Sequence, residues 1–253
     1  MPPAASALWK STSVERWEHL RAQHADLQRR AGVASRDASK LARLAELDAD
    51  FVTSALPLKL HDDKASLPLL TKSDLVKAVE WKLLRGKWRP SLLKYAQEQT
   101  DAAVGAAAAA ALAALGDRRR PSDAQVHAAL AALCALRGVG PATASIFLCA
   151  ATAGRIPYMA DEALEACLGT RKYTADELVA LAGRLGAKAA ALAAAAAAAG
   201  AGGRAWAAED VQRALHAAEL ESRLLGGGVA GASKKKAAAA AAPAASPKRQ
   251  RRR

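Results

Sequence analysis

The chain has 253 residues, of which 52% are hydrophobic and only 4% aromatic, and a formal net charge of +13. A chain of that length buries one sizeable core and has no room for more than two modest domains. Alanine dominates and β-branched residues are too sparse for a sheet, so the composition predicts an all-α protein.

Residues 1–11, rich in Pro, Ala and Ser, are expected to be disordered, and they lack the apolar stretch of a secretory signal. Thr12 with Glu15 reads as a capping box, and Val14, Trp17, Leu20, His24 and Leu27 share one helical face as far as Gly32. On such a stripe His24 is read as a partly buried structural side chain. Ser35 opens a second helix burying Leu41, Leu44, Leu47 and Phe51. Pro57 and Pro68, around His61-Asp-Asp-Lys64, mark an irregular connector. Thr71 with Asp74 caps a helix that buries Leu75, Val79 and Leu83 and ends near Gly86.

Lys82, Arg85, Lys87 and Arg89 are interleaved with Trp81 and Trp88. One reading is a phosphate-contacting edge with an aromatic ring free to stack on a base. The other is a core tryptophan flanked by solvated cations, and the break at Gly86 favours the first. Pro90 starts a long helix through Leu93 and Tyr95 into the alanine tract up to Leu115. Arg118, Arg119 and Arg120 follow as phosphate contacts or a solvated loop.

Ser122 with Gln125 caps a helix through Leu130, Leu133 and Leu136, which stops at Gly138. Gly138-Val139-Gly140 can turn sharply because glycine reaches positive φ without steric cost, and Pro141 starts a helix through Ala144, Ile146, Phe147 and Ala150. Free amides gathered at a helix N-terminus suit a phosphate-sized anion. A dinucleotide-binding loop would need a preceding strand and a third small residue where Thr143 stands. A phosphate loop of the Walker type would need an absent Lys-Ser/Thr pair. A plain helix-helix turn that binds nothing stays open.

The run Leu136-Arg-Gly-Val-Gly-Pro-Ala-Thr-Ala144 resembles the helix-hairpin-helix motif of the endonuclease-III-like DNA glycosylase superfamily, here about residues 122–153. Trp81-Lys-Leu-Leu-Arg-Gly-Lys-Trp-Arg-Pro90 resembles the Amun-like proteins, a eukaryotic branch of it. The resemblance implies a helical glycosylase-like domain over residues 12–225, gripping the DNA backbone through Gly138, Val139, Gly140, Ala142 and Thr143. It also implies an aspartate at the active-site mouth about twenty residues on, where this chain has Asp161, with Glu162 the second choice. Bifunctional members carry a lysine where this chain has Ala142, so no strand-cleaving step is expected through that position. Relatives with an iron–sulfur cluster use four cysteines near the C-terminus. This chain has only Cys134, Cys149 and Cys167, so no cofactor is expected, and the thiols read as buried and free. Tyr158, Trp81 and Trp88 are candidate walls for a flipped base.

A carboxylate at a helix N-terminus could stabilise oxocarbenium character on a sugar or orient water; it could equally be a simple N-cap. After it come a short helix to Leu168, a helix capped by Thr174 with Glu177, and a last helix from Trp206 to Leu225 with Val211, Leu215 and Leu220 inward. Gly226-Gly-Gly is expected to end the folded part. Residues 226–253 carry eight Lys or Arg and no acid, leaving +5 for residues 1–225. This basic tail, expected to be disordered, pairs Lys234-Lys-Lys236 with Lys248-Arg-Gln-Arg-Arg-Arg253. It reads as a two-part nuclear import signal bound by an import receptor, or as a solubilising tail. The longest uncharged apolar run, 138–154, falls short of the roughly 20 residues a bilayer span needs, so no membrane partner is expected. The expectation is a nuclear, monofunctional DNA glycosylase of base excision repair. The alternatives are a non-catalytic DNA- or RNA-binding module and a helical interaction protein with an import tail.

Overall fold

The computed structural model describes residues 3–33, 37–61, 70–200 and 205–240, and they form helices, turns and loops with no strand among them. The all-α expectation holds. Capping chemistry places several boundaries where the sequence puts them. Helix α5 (Lys72–Arg85) starts on a two-way box in which Thr71 Oγ1 accepts the Asp74 N–H and the Asp74 carboxylate accepts the Thr71 N–H. Helix α8 (Asp123–Cys134) starts the same way on Ser122 and Gln125.

Other boundaries differ. The N-terminal segment expected to be loose forms helix α1 (Pro3–Lys10), with Ala5 and Leu8 buried. Its Ala5 N–H donates to Glu219 Oε1 at 2.8 Å, a cap supplied from more than two hundred residues away that local sequence cannot announce. Ser13 rather than Thr12 caps α2 (Val14–Val33), its Oγ accepting the Arg16 N–H. Ser35 lies outside the described residues. Helix α3 (Ala38–Glu46) passes into a π-helical segment (Leu47–Ala55) and then α4 (Leu56–His61), so the expected connector is helical up to His61; residues 62–69 are outside the description. Pro57 sits in the first turn of α4, where a missing N–H removes no bond within that helix. The expected long helix from Pro90 is two, α6 (Pro90–Glu98) and α7 (Asp101–Leu115), because Gln99 is extended and the Thr100 side chain caps α7.

Helix α9 (Pro141–Ala151), the second helix of the hairpin, is the hub. Its residues 142–148 are all buried, and α4, α5, α8, α11 and the π segment pack on it. A helix apolar all round belongs in a core, and small side chains let five neighbours approach. Around it stand α10 (Asp161–Leu168), α11 (Ala175–Ala198) and α12 (Ala208–Ala240), with α12 packed along α2 and α1. Among the described residues α11 has the length and hydropathy to cross a membrane, yet Leu178, Leu181, Leu185 and Leu192 are buried in the core. Helix α12 runs past Gly226-Gly-Gly, where the sequence reading ends the fold; residues 241–253, with Lys248 to Arg253, lie outside the description. Glycine lowers helix propensity by about 1 kcal/mol without forbidding a helix, and no proline follows until 243.

Candidate nucleic-acid interface

The hairpin joins α8 to α9 through two glycines that do different work. Gly138 has φ +83°, and a Cβ there would lie 2.8 Å from Tyr95 Cβ, so both conformation and packing require glycine. Gly140 is extended (φ −108°, ψ 177°) and a Cβ there would meet nothing, so of the two glycines only Gly138 supplies the positive φ of the turn. The N–H groups of Gly138, Gly140 and Ala142 have no partner among the described residues. Val139 and Thr143 depart from the expected set of free amides. Their N–H groups donate to Leu136 O and Gly140 O, and their side chains are buried.

Beyond α9 the chain returns as residues 156–160, pinned at two points. Ser145 Oγ, fully buried, accepts the Met159 N–H at 3.0 Å, and Glu209 Oε2 accepts the Tyr158 N–H at 2.8 Å. These bonds deliver Asp161 as the first residue of α10. The N-cap is Ala160 and no side chain caps the helix, so Asp161 is not engaged as a simple cap. Its side chain is 56% exposed. It is held from another loop, with Tyr173 Oη donating to Oδ1 at 2.5 Å and Arg171 Nη1 to Oδ2 at 3.4 Å.

Tyr173 and Arg171 are the functional candidates that sequence reading missed. Tyr173 has φ +56°, a conformation that costs of order 1–3 kcal/mol for a bulky residue. Glu177 stabilises it by accepting the Tyr173 N–H at 2.6 Å, while Thr174 Oγ1 accepts the Glu177 N–H. Burial acts to raise the Glu177 carboxyl, but hydrogen bonds from Thr170 and the backbone of Lys172, Tyr173 and Thr174 hold it below its usual value. Burial and the bond to Asp161 push the Tyr173 phenol well up, so it stays a donor. The Thr174–Glu177 pair was legible as a helix start; the strained tyrosine before it carries no sequence signal.

Lys82, Lys87 and Arg89 form the opposing wall. Together with Gly138, Gly140, Ala142, Tyr158, Asp161 and Tyr173 they line one cavity of about 310 Å³. Three expected members, Trp81, Arg85 and Trp88, are elsewhere. Trp81 is 1% exposed, its indole N–H bonded to Asp48 Oδ1 at 3.1 Å and its ring edge-on to Tyr158 at 4.8 Å, so it is core and no wall. Arg85 is sealed beneath the cavity, 6% exposed and 2.6 Å from Glu162 Oε1, which also accepts from Gln212. Glu162, 13% exposed, is therefore spent on that ion pair, which removes it as the second-choice carboxylate. Trp88 is 42% exposed beside Lys87 and Arg89 and does not line the cavity. Arg118 donates to Leu60 O, which ties it to the scaffold.

A larger cavity of about 580 Å³ shares no residue with this cleft. Two of its three guanidiniums are paired with carboxylates, Arg213 with Asp48 and Glu209 and Arg21 with Glu18, and the third, Arg155, donates to Thr152 O. No three His, Cys, Asp or Glu side chains gather as metal ligands among the described residues. All three cysteines are free, and burial pushes the Cys167 thiol up to about 12. No protein-family model, curated protein or solved structure matches the chain.

Proposed function

We propose that this protein grips a DNA backbone through the Gly138–Ala142 hairpin and hydrolyses the N-glycosidic bond of a nucleotide held in the adjoining cleft, with Asp161 as the essential carboxylate. The observation that carries the reading is the sharing of one cavity by three kinds of group. Unpartnered hairpin amides and the Lys82, Lys87 and Arg89 cations suit phosphate, and an open carboxylate held by Tyr173 in the same cavity suits positive charge developing on a sugar. Oxocarbenium character developing at C1′ would be stabilised by that carboxylate, and water would be the acceptor. In this reading the enzyme is a glycosylase of the helix-hairpin-helix type that works in the nucleus, its basic tail serving as the import address.

The test is incubation of the purified protein with duplexes bearing a panel of damaged bases, followed by hot alkali to cut at abasic sites. Wild type is expected to yield a cut strand from at least one lesion and Asp161→Asn to reduce it about a hundredfold or more. No cut strand across the panel, or equal product from the variant, sinks the enzymatic claim. One observation favours a second reading, a non-catalytic nucleic-acid module. Trp81 and Tyr158 pack on each other over the Arg85–Glu162 pair, so the floor of the cleft is filled. In that case Gly140→Asp abolishes salt-dependent binding while Asp161→Asn leaves it intact.

A further inference from the structure

The cleft contains two polar side chains that the fold leaves unsatisfied. Tyr158 is 8% exposed, its ring edge-on to Trp81 and under the Arg85 guanidinium at 5.0 Å. Its hydroxyl makes no hydrogen bond among the described residues and is not sealed, so it opens into the cavity that Tyr158 lines. A phenol this deep is normally hydrogen-bonded, so the floor is short of one acceptor. Burial pushes its pKa well up against the pull of Arg85, and the group stays an O–H donor. Half-buried Lys82 lines the same cavity and likewise makes no hydrogen bond, ion pair or ring contact among the described residues. Lys82, Lys87 and Arg89 share the cavity with one carboxylate, Asp161, which Arg171 and Tyr173 already hold. Unsatisfied donors in a positive lining attract oxygen acceptors and repel a fixed positive charge.

The inference that follows deepens the proposed base excision and rests on it. We propose that Tyr158 and Lys82 select the base: the cleft takes a neutral nucleobase whose ring carbonyl oxygens accept hydrogen bonds, and rejects a purine made cationic by N-alkylation. Uracil and hypoxanthine are of the first kind, 7-methylguanine of the second. When the C1′–N bond of a neutral base breaks, its electron pair leaves with the base and negative charge spreads onto the carbonyl oxygens. Water gives hydroxide to C1′ and its remaining proton to the base, so atoms and charge balance without a further reactant. The Lys82 ammonium and the Tyr158 O–H meet that developing charge, an interaction stronger in the transition state than before it. A cationic base leaves neutral and gains nothing from them, while its own charge lies against unmatched cations. Lys82 acts as a cation throughout, and exposed Lys87 and Arg89 remain for phosphates.

The experiment measures binding, so hydrolysis is not required. Full-length protein is titrated into duplexes bearing one 2′-fluorinated nucleotide, which resists hydrolysis, with uracil, hypoxanthine or 7-methylguanine as its base. Each faces a tetrahydrofuran gap, so pairing strength does not differ. The uracil and hypoxanthine duplexes are expected to bind about tenfold tighter than the 7-methylguanine duplex, or more. Tyr158→Phe keeps the ring on Trp81 and should lose about fivefold for the two carbonyl bases only. Lys82→Gln should narrow the preference by about tenfold, because it also relieves the repulsion. Equal or tighter binding of 7-methylguanine, or a loss in Tyr158→Phe shared by all three duplexes, overturns the selection and leaves the backbone grip standing. No binding to any duplex overturns both. The expected preference, with no cut strand from any lesion in the alkali assay, supports the selection of the base and sinks its excision alone.

Discussion

Helices α5 and α10 face each other with two layers of charge, and the layers are built from nearest neighbours. In the inner layer Arg85 and Glu162 are sealed together, each at most 13% exposed. In the outer layer Lys82, one helical turn before Arg85, and Asp161, next to Glu162, open into the cleft. The inner pair is stabilised by a close contact, the Gln212 hydrogen bond and the stacking of Arg85 over Trp81 and Tyr158. The outer groups keep water on one side and leave an amine unmatched. The same residue types thus serve structure where they are fully partnered and remain available for chemistry where they are not.

The largest expected effect breaks the inner layer. Glu162→Gln leaves Arg85 buried without its counter-ion and should cost about 3–5 kcal/mol of stability, read by urea denaturation. A loss below about 1 kcal/mol would mean that water reaches Arg85 after all. Gly138 sharpens the comparison from the cleft rim. Gly138→Ala forces an L-residue to φ +83° against Tyr95 and should cost roughly 2–3 kcal/mol, whereas Gly140→Ala should cost under about 0.5 kcal/mol. Equal losses would show that the two glycines are not the different devices described.

Acidification addresses the sealed interior alone. His24 Nε2 and His216 Nδ1 lie 3.0 Å apart in the core between α2 and α12. Burial first, then the neighbouring cations (Arg213 and Arg85 for both, Arg223 also for His216) and, for His24, the partner imidazole, depress both pKa values well below the ordinary one. The folded pKa is the lower one, so on acidification the unfolded chain takes up protons first. Stability should be complete above about pH 6.5 and fall as pH drops below that toward the depressed folded values, by up to about 1.4 kcal/mol per pH unit for each imidazole. Chemical denaturation at pH 7.5 and 5.5 measures it, and the double variant His24→Gln, His216→Gln should flatten the slope. The effect on stability is small in the outer layer as well. Asp161→Asn and Tyr173→Phe should each change stability by less than about 1 kcal/mol while altering what the cleft does to a bound strand, the reverse of Glu162→Gln.

The helix starts at Thr71 and Ser122 and the acidic start of α10 were legible because caps act over a few residues, whereas the helix read as far as Gly138 ends at Cys134, before the glycine turn. The loose N-terminus was misread because its cap, Glu219, comes from the far end of the chain. Tyr173 was missed because its strain is set by Glu177 and its target by a different helix. Local sequence alone determined an all-helical chain with a glycine hairpin and an aspartate at a helix start. Tertiary packing decided which of Asp161 and Glu162, and which of Lys82 and Arg85, is sealed and which is open. Side chains adjacent on a helix point in different directions, and the environment of each is fixed by what packs opposite, a long-range property that neighbouring residues do not encode.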